Sequence, residues 1–445
     1  GLKTLNADSA KALAEFKGHV LYLNGLTSLS ADTAKALAEF KGENLYLNGV
    51  STLDADTAKA LAGFKCLSLN LDGLKTLNAD SAKALAEFKG LSLNLDGLTT
   101  LDADTAKVLA KSNAWNGRLP NLAALDADAA KALAGFKGIS LGLAGLTTLD
   151  ADTAKALEEF KGLMLILSGL TSLSADTAKA LAEFKGENLY LNGVSTLDAD
   201  TAKALAGFKC LSLNLDGLKT LNADSAKALA EFKGGNLYLN GVTTLDADTA
   251  KALAEFKGQL VLNGLTTLDA DTAKALTELK GGLDLNGLTT LNADTAKALA
   301  ELKGRELSLN RLTTLDVATA KALAGIYVWD GELGTLSTLD ADTAKALAAN
   351  ENWKGRLPAL TALETPDSVA IAQALATTKV PLALPNLKKI SPKTLTALIE
   401  KEDVQIPLIE TLELIQEPDG SVTEDFVIPE WLEHRQKQQR AGQGQ

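Results

Sequence analysis

Apolar and polar positions along this chain follow two periods in a fixed order, and the order recurs about every 24 residues from Gly1 to about Ala359. The first period is two. In Leu45-Tyr46-Leu47-Asn48-Gly49 leucines alternate with variable residues, as they do in a half-buried strand. The second is helical: Ala58, Leu61 and Phe64, with Ala55 and Ala62 at the margins, fall on one face of a helix and are expected to point inward. Between the two, Asn48-Gly49 predicts a sharp turn with positive φ. A second inward pair, Leu26/Leu29 or Val50/Leu53, then leads to the next helix. The tetrad Ala-Lys-Ala-Leu, once Ala-Lys-Val-Leu at Ala106 to Leu109, marks each of about fifteen copies.

The helix boundaries are written in the sequence. The slot at Asp54 holds Asp (Asp102, Asp150, Asp198, Asp246), Asn (Asn6, Asn78, Asn222, Asn292) or Ser (Ser30, Ser174) in the other copies. These residues share one ability, accepting a hydrogen bond from a first-turn N–H, so the slot is an N-cap. Asp56 then places negative charge at the helix N-terminus and Lys65 positive charge at its C-terminus, matching the helix dipole. The glycine after the lysine (Gly18, Gly42, Gly90) predicts a left-handed C-terminal stop.

A strand and a helix repeated at a fixed period form a solenoid, whose coils bury their apolar faces only against their neighbours. Strands joined through helices must be parallel, with right-handed crossovers. The expected fold is therefore α/β: a curved right-handed solenoid of strand-turn-helix repeats, with one parallel sheet and a parallel helix layer. Strands stack about 4.8 Å apart whereas helices pack at roughly 8–10 Å, so the helical side should splay into a shallow arc.

The unit length and the leucine pattern L-x-L-x-x-L (Leu45-Tyr46-Leu47-Asn48-Gly49-Val50) resemble a leucine-rich repeat protein of a bacterial type with alanine-rich helices, over roughly residues 1–400. The pattern departs from the family's L-x-x-L-x-L-x-x-N-x-L. Asn48 directly follows the second strand leucine, so the family's buried asparagine ladder is not carried over. The resemblance implies a curved α/β solenoid with a protein-binding sheet face, and it implies no enzyme.

Composition adds exclusions. The chain has 56 acidic against 44 basic residues, but both signs recur inside each unit, so no basic face for a polyanion is written and no nucleic-acid partner is expected. No run of 18 apolar residues predicts a membrane span. Cys66 and Cys210 share one slot 144 residues apart, too far for a disulfide when strands advance by about 4.8 Å per unit. The chain opens at Gly1 in mid-pattern, so the natural N-terminus and any targeting signal are expected to have been removed. The compartment stays open, with cell surface or secretion placed ahead of the cytoplasm.

Candidate contact residues lie on the strands and at the irregular units. Tyr22, Tyr46, Tyr190 and Tyr238 alternate with inward leucines and should face out from the sheet. Trp115, Trp329 and Trp353 mark three units, in which Trp115 and Trp353 replace the Phe-Lys-Gly junction with a longer loop; each tryptophan either covers a repeat edge or anchors a partner. Ten of the eleven phenylalanines fill the Phe64 slot and belong to the core. Rows of hydroxyls such as Thr99-Thr100 and Thr147-Thr148 either satisfy backbone at the corner or match a periodic ligand. Residues 25–90 and 169–234 are identical, so two distant stretches present one surface.

Past Glu364 the pattern decays. Pro366 is placed in a first helical turn, and Pro381, Pro385, Pro392 and Pro407 punctuate two weaker units. The expected organisation is a solenoid over 1–365, degenerate repeats and a C-terminal cap over 366–432, and a polar, flexible tail over 433–445. His19 and His434 stand at opposite ends, and no nucleophile, phosphate-loop or zinc motif occurs. No catalytic residue, metal or cofactor is therefore expected. The expected function is a non-enzymatic scaffold for a protein partner. The alternatives are a self-assembling filament or surface-layer protein, and a binder of a periodic ligand such as polysaccharide or ice.

Overall fold

The computed structural model describes residues 2–421 and 428–443. The chain divides into two compact units, residues 1–241 and 242–445, both built from one kind of coil. In the first unit the helices are α1 (Ala7–Ala14), α2 (Ala31–Leu37), α3 (Ala55–Ala62), α4 (Ala79–Leu85), α5 (Ala103–Leu109), α6 (Ala127–Ala134), α7 (Ala151–Leu157), α8 (Ala175–Leu181), α9 (Ala199–Ala206) and α10 (Ala223–Leu229). Its strands are β1 (Val20–Tyr22), β2 (Asn44–Tyr46), β3 (Ser68–Asn70), β4 (Ser92–Asn94), β5 (Ser140–Gly142), β6 (Met164–Ile166), β7 (Asn188–Tyr190), β8 (Ser212–Asn214) and β9 (Asn236–Tyr238).

The second unit holds α11 (Ala247–Leu253), α12 (Ala270–Ala275), α13 (Ala293–Leu299), α14 (Val317–Leu323), α15 (Ala341–Ala348), α16 (Ser368–Ala376), α17 (Pro392–Ile399) and α18 (Glu430–Gln443). Its strands are β10 (Gln259–Val261), β11 (Gly282–Asp284), β12 (Glu306–Ser308), β13 (Ala362–Leu363), β14 (Lys389–Ile390) and β15 (Glu413–Leu414).

Pairing is parallel with constant register: Leu21 lies opposite Leu45, Leu45 opposite Leu69, and Leu69 opposite Leu93. The fold is an α/β solenoid of leucine-rich-repeat-like coils. Leucines of the strand, the corner and the helix (Leu45, Leu47, Leu61) are fully buried with Phe40 and Phe64. Phe136, Phe160 and Phe184 stack at 6.5 and 6.3 Å with nearly parallel rings.

The N-caps form as the sequence requires. The Thr57 amide donates to the Asp54 carboxylate at 2.7 Å, and Asn78 and Ser174 accept equivalent bonds. A second use of this position is absent from the helical pattern. The Thr57 slot is buried, and its hydroxyl donates sideways to the carbonyl that precedes the neighbouring coil's cap. Ser81 reaches Leu53 at 2.9 Å, Thr105 reaches Leu77 at 3.2 Å and Ser225 reaches Leu197 at 2.8 Å. In the second unit Thr295 and Thr319 make the same bond to Leu268 and Leu291. The predicted inward face gains Thr57 and loses Ala55, which is exposed.

Several expectations fail. Gly42, Gly90 and Gly49 do not have positive φ; among described residues only Gly117, Gly331, Gly355 and Gly420 do. At Gly42 and Gly90 a Cβ would crowd the phenylalanine of the same coil first and the preceding coil's carbonyl second, in a slot that Cys66 and Cys210 fill in other coils, whereas at Gly49 it would meet the preceding coil alone. A Cβ at Gly90 would lie 2.6 Å from the Cys66 carbonyl oxygen and within the Phe88 ring, and one at Gly49 would meet the carbonyls of Asn24 and Leu26. At Gly49, coil stacking and not a left-handed turn selects glycine.

The single expected sheet is also interrupted. Strands β1–β4 form one ladder, β5 begins another, and β13–β15 form a third. Between β4 and β5 only single-residue bridges remain, Leu93 to Trp115 and Arg118 to Gly142. Three of the positive-φ glycines follow a tryptophan by two residues, in Trp115-Asn116-Gly117, Trp329-Asp330-Gly331 and Trp353-Lys354-Gly355. In each, glycine supplies the left-handed residue that the irregular segment requires.

At the C-terminus Pro366 lies in a turn outside the helix, which starts two residues later at Ser368. Of the tail expected over 433–445, residues 433–443 belong to α18, which packs on the last coil, and 444–445 lie outside the described residues. Leu432 is buried, Arg435 donates to Val404 O at 2.9 Å and Glu402 O at 2.7 Å, and Gln436 bonds Ile409 N and Pro407 O. Counting polar residues hid this, because one apolar and two hydrogen-bonding side chains at i, i+3 and i+4 are enough to dock a helix. The two compact units meet between residues 241 and 242, and position 365, where the regular repeats were expected to end, lies within the second.

Candidate interaction surface

In the first unit each strand buries its central leucine, and the flanking residues form the outward face, most of them half-buried and Asn70, Gly142 and Ser212 buried within it. None of the residues in β1–β9 is charged, in a chain that is 22% charged overall. The outward set is Tyr, Asn and Ser with a few apolar residues. In the second unit the face differs, with Asp284 on β11 and Glu306 on β12, and Val261 of β10 is buried.

Among the expected contact residues, the tyrosines occupy this face. Tyr22 is 65% exposed, while Tyr46, Tyr190 and Tyr238 are half-buried. Tyr22 and Tyr46 stack with ring centroids 4.8 Å apart. Register places Tyr46 beside Asn70, and Tyr190 and Tyr238 on either side of Asn214. From Asn70 the row continues as an amide ladder. Asn94 donates to the Asn70 side-chain oxygen, and Asn116 donates to that of Asn94 at 2.6 Å. Such a row is held in place by its own hydrogen bonds and has few rotamers left to lose on contact.

The tryptophans do not belong to it. Trp115, Trp329 and Trp353 are buried and cannot serve as exposed anchors. The reason is volume. The slot that holds Phe64 in a regular coil holds Ser112 and Asn350 in two of these units, and the indole three residues later fills the space. Trp115 packs on Phe136 and its backbone N–H donates to Ser112 Oγ at 3.3 Å.

A row not anticipated from sequence lies just ahead of the strands. Leu67, Leu91, Ile139, Leu163 and Leu211 are exposed, Leu91 to 78%. Period-two alternation with Leu69 and Leu71 places Leu67 inside, but this residue precedes the strand, where the alternation no longer applies. A signal was available: the same slot carries His19, Glu43, Glu187 and Arg305 in other coils.

The turn residues form a further polar ladder. Asn48 N donates to the Asn24 side-chain oxygen at 3.1 Å, Asp72 N to that of Asn48 at 3.2 Å, and Asp96 N to Asp72 Oδ1 at 3.1 Å. An asparagine-type ladder thus exists, at a different slot from the one the family pattern specifies. Burial holds the Asp72 carboxyl above the usual aspartate range, the Asp96 amide lowers it in part, and the neighbouring Asp96 charge adds to the rise. Burial also pushes the Cys66 and Cys210 thiols up to about 11. The Thr99 hydroxyl donates to Lys75 O at 3.1 Å, so part of the threonine row serves the backbone. Among the described residues no group of three or more His, Cys, Asp or Glu side chains is placed to hold a metal ion, and no helix is long and apolar enough to cross a membrane.

No family model matches the sequence, and no curated protein matches it. Solved structures similar to the chain include the Toll–Spatzle complex of Drosophila, at 13% identity and a TM-score of 0.42, with 84% of this chain and 54% of that chain covered. Its glycosylated form matches at 13% identity and a TM-score of 0.41, over 84% and 55%. The complex of Rad7 and Elc1 in yeast matches at 16% identity and a TM-score of 0.35, covering 92% of both chains. The chain spans about half the length of the Toll-complex chains it matches.

Proposed function

We propose that this chain is a non-enzymatic scaffold, of the bacterial leucine-rich-repeat type with alanine-rich helices, that binds a protein partner on the sheet face of its first unit. The observation that carries the reading is the uncharged, Tyr/Asn/Ser-rich face of β1–β9. Charged residues are depleted at the centre of protein interfaces, where tyrosine is enriched, and Tyr, Ser, Gly and Asn are the enriched residues of antibody paratopes. Tyr22, Tyr46, Tyr190 and Tyr238 are its aromatic contacts, while the tryptophans support the coils beneath. The test is capture of partner by the immobilised chain, compared with Tyr46→Asp and Tyr190→Asp variants and with Lys59→Glu on the helix side. Loss in the two tyrosine variants alone supports the reading; equal capture by all of them removes it.

The exposed row Leu67, Leu91, Ile139, Leu163 and Leu211 favours a second reading, lateral self-association. Light scattering across a concentration series separates the two. A mass that stays constant in the chain and in a Leu91→Asp variant eliminates lateral association.

A further inference from the structure

We infer, extending the second reading above of lateral self-association, that the row Leu67, Leu91, Ile139, Leu163 and Leu211 docks on a second copy of this chain, at the edge of its first unit where the helices begin. Each coil has two edges. The strand runs from one to the other and the helix runs back, so Leu67, between α3 and β3, lies at the opposite edge from Asp54, which caps α3. Pairing in constant register repeats both edges from coil to coil.

The two edges carry opposite charge. Where α3 to α6 end stand Lys65, Lys89, Lys111 and Lys137, against Glu87. Lys209 shows how such a lysine is neutralised within the chain, since it donates to Glu183 of the preceding coil at 2.6 Å. The position of that glutamate is Gly63 for Lys89 and Lys111 for Lys137, so neither has this partner. Where α3, α5 and α6 begin stand Asp54 and Asp56, Asp102 and Asp104, and Asp126 and Asp128. Lys75 and Arg118 are the basic residues on that side, and Arg118 is taken by Asp96 at 3.5 Å. A groove of about 570 Å³ runs along this acidic edge. The nearly buried Leu53, Leu77 and Leu101 form its floor, with Thr52, Asp102 and Asp126 among its walls.

Row and groove match in shape, charge and period. Leu67 and Leu91 project from neighbouring coils, and the groove has a leucine floor contributed by successive coils. Lys65 and Lys89 lie two residues ahead of those leucines, placed to meet the aspartates of the groove wall. Both edges advance by the same step of about 4.8 Å per coil, so a contact that fits at one coil fits again at the next. Burying the leucines supplies the attraction, and charge selects the edge, because two basic edges or two acidic edges repel. A contact between opposite edges does not close on itself, so copies add side by side into a ribbon. The sheet face of β1–β9 lies between the two edges and stays open.

The experiment follows mass against concentration by light scattering for the full chain, a basic-edge variant (Lys65→Glu, Lys89→Glu) and an acidic-edge variant (Asp104→Lys, Asp128→Lys). Asp104 and Asp128 follow the caps and are exposed, so their exchange leaves the capping bonds in place, and circular dichroism confirms that each variant is folded. The parent should rise several-fold in mass, and each variant alone should stay at the mass of one chain. An equimolar mixture of the two should rise again, because each offers the edge that the other lacks. Raising salt from about 0.1 to about 1 M shortens the screening length from about 10 to about 3 Å and should reduce the parent's growth. A parent of constant mass at every concentration removes lateral association and the acidic edge together. Growth that Leu91→Asp stops but both edge variants retain keeps lateral association and overturns the acidic edge as the receiving surface. A mixture as inert as its two components overturns pairing between opposite edges. Co-sedimentation with vesicles of equal parts phosphatidylcholine and phosphatidylserine, at constant mass in solution, assigns the row to a membrane instead.

Discussion

The indole of Trp115 lies 4.8 Å from the ring of Phe136 in the following coil, tilted by 55°. Trp115 thereby takes the place of a helix phenylalanine that its own coil lacks, since Ser112 sits in that slot. Trp115→Ala should cost about 3–5 kcal/mol by opening a cavity between two coils, while Trp115→Phe should cost less. Urea unfolding of the two variants checks this. An alanine variant as stable as the parent would show that the indole does not fill the slot.

Ala129 breaks the row of buried hydroxyls between coils. Ser81 and Thr105 bond the preceding coil at this position, and Ala129 leaves the Leu101 carbonyl without that donor. Ala129→Ser should therefore stabilise the chain by about 0.5–1.5 kcal/mol, the net value of an added internal hydrogen bond. Thr105→Val should do the reverse, leaving the Leu77 carbonyl unpaired. Thermal unfolding of both decides the matter, and a destabilised Ala129→Ser protein refutes it.

The N-cap aspartates predict loss of stability in acid. In Asp54, Asp150, Asp198, Asp246, Asp269 and Asp316 the carboxyl is held below its ordinary value of 3.8, first by the backbone N–H of the residue three positions on. A pKa lower in the folded than in the unfolded chain gives stability that is complete above the ordinary value and lost as pH falls through the folded one. The Tm should hold from pH 7 to about 5 and fall below about pH 4. Replacing all six by Asn keeps a capping oxygen and should flatten that fall. An unchanged acid profile would remove the caps as its cause.

Asp72 has the opposite sign. Burial raises its pKa above 3.8, so the ionised form is disfavoured in the folded chain and its cost grows as pH rises through the folded value. Asp72→Asn keeps the side-chain oxygen that accepts from Asp96 N and removes the charge. The variant should be more stable than the parent at pH 7 and indistinguishable from it near pH 3. Equal Tm values at both pH values would count against a buried charge at the turn.

Cys66 and Cys210 should be inert in the folded chain. Both thiols are buried and pushed up to about 11, so little thiolate exists at pH 8. Iodoacetamide should label neither until denaturant is added. Rapid labelling of the native protein would show that the coils open locally at the Cys66 slot.

Much of this protein could be read from its residues one coil at a time. Interchange of Asp, Asn and Ser at the Asp54 slot located each helix start, because capping is a bond within four residues. Alternation around Leu45 located the strands and turned Tyr22, Tyr46, Tyr190 and Tyr238 outward, because side-chain direction along a strand is a local geometric rule. What one coil cannot record is the coil beside it. The glycine at Gly49 is dictated by carbonyls 23 and 25 residues away, those of Leu26 and Asn24. The hydroxyl of Thr105 is dictated by Leu77, and the burial of Trp115 by space left at Ser112. Arg435 and Gln436 look like solvated residues of a polar tail until the carbonyls they satisfy in the last coil are in place. Local bonding fixed the elements, and steric and hydrogen-bonding demands between stacked coils decided which side chains are buried, which glycines are required and where a partner can reach.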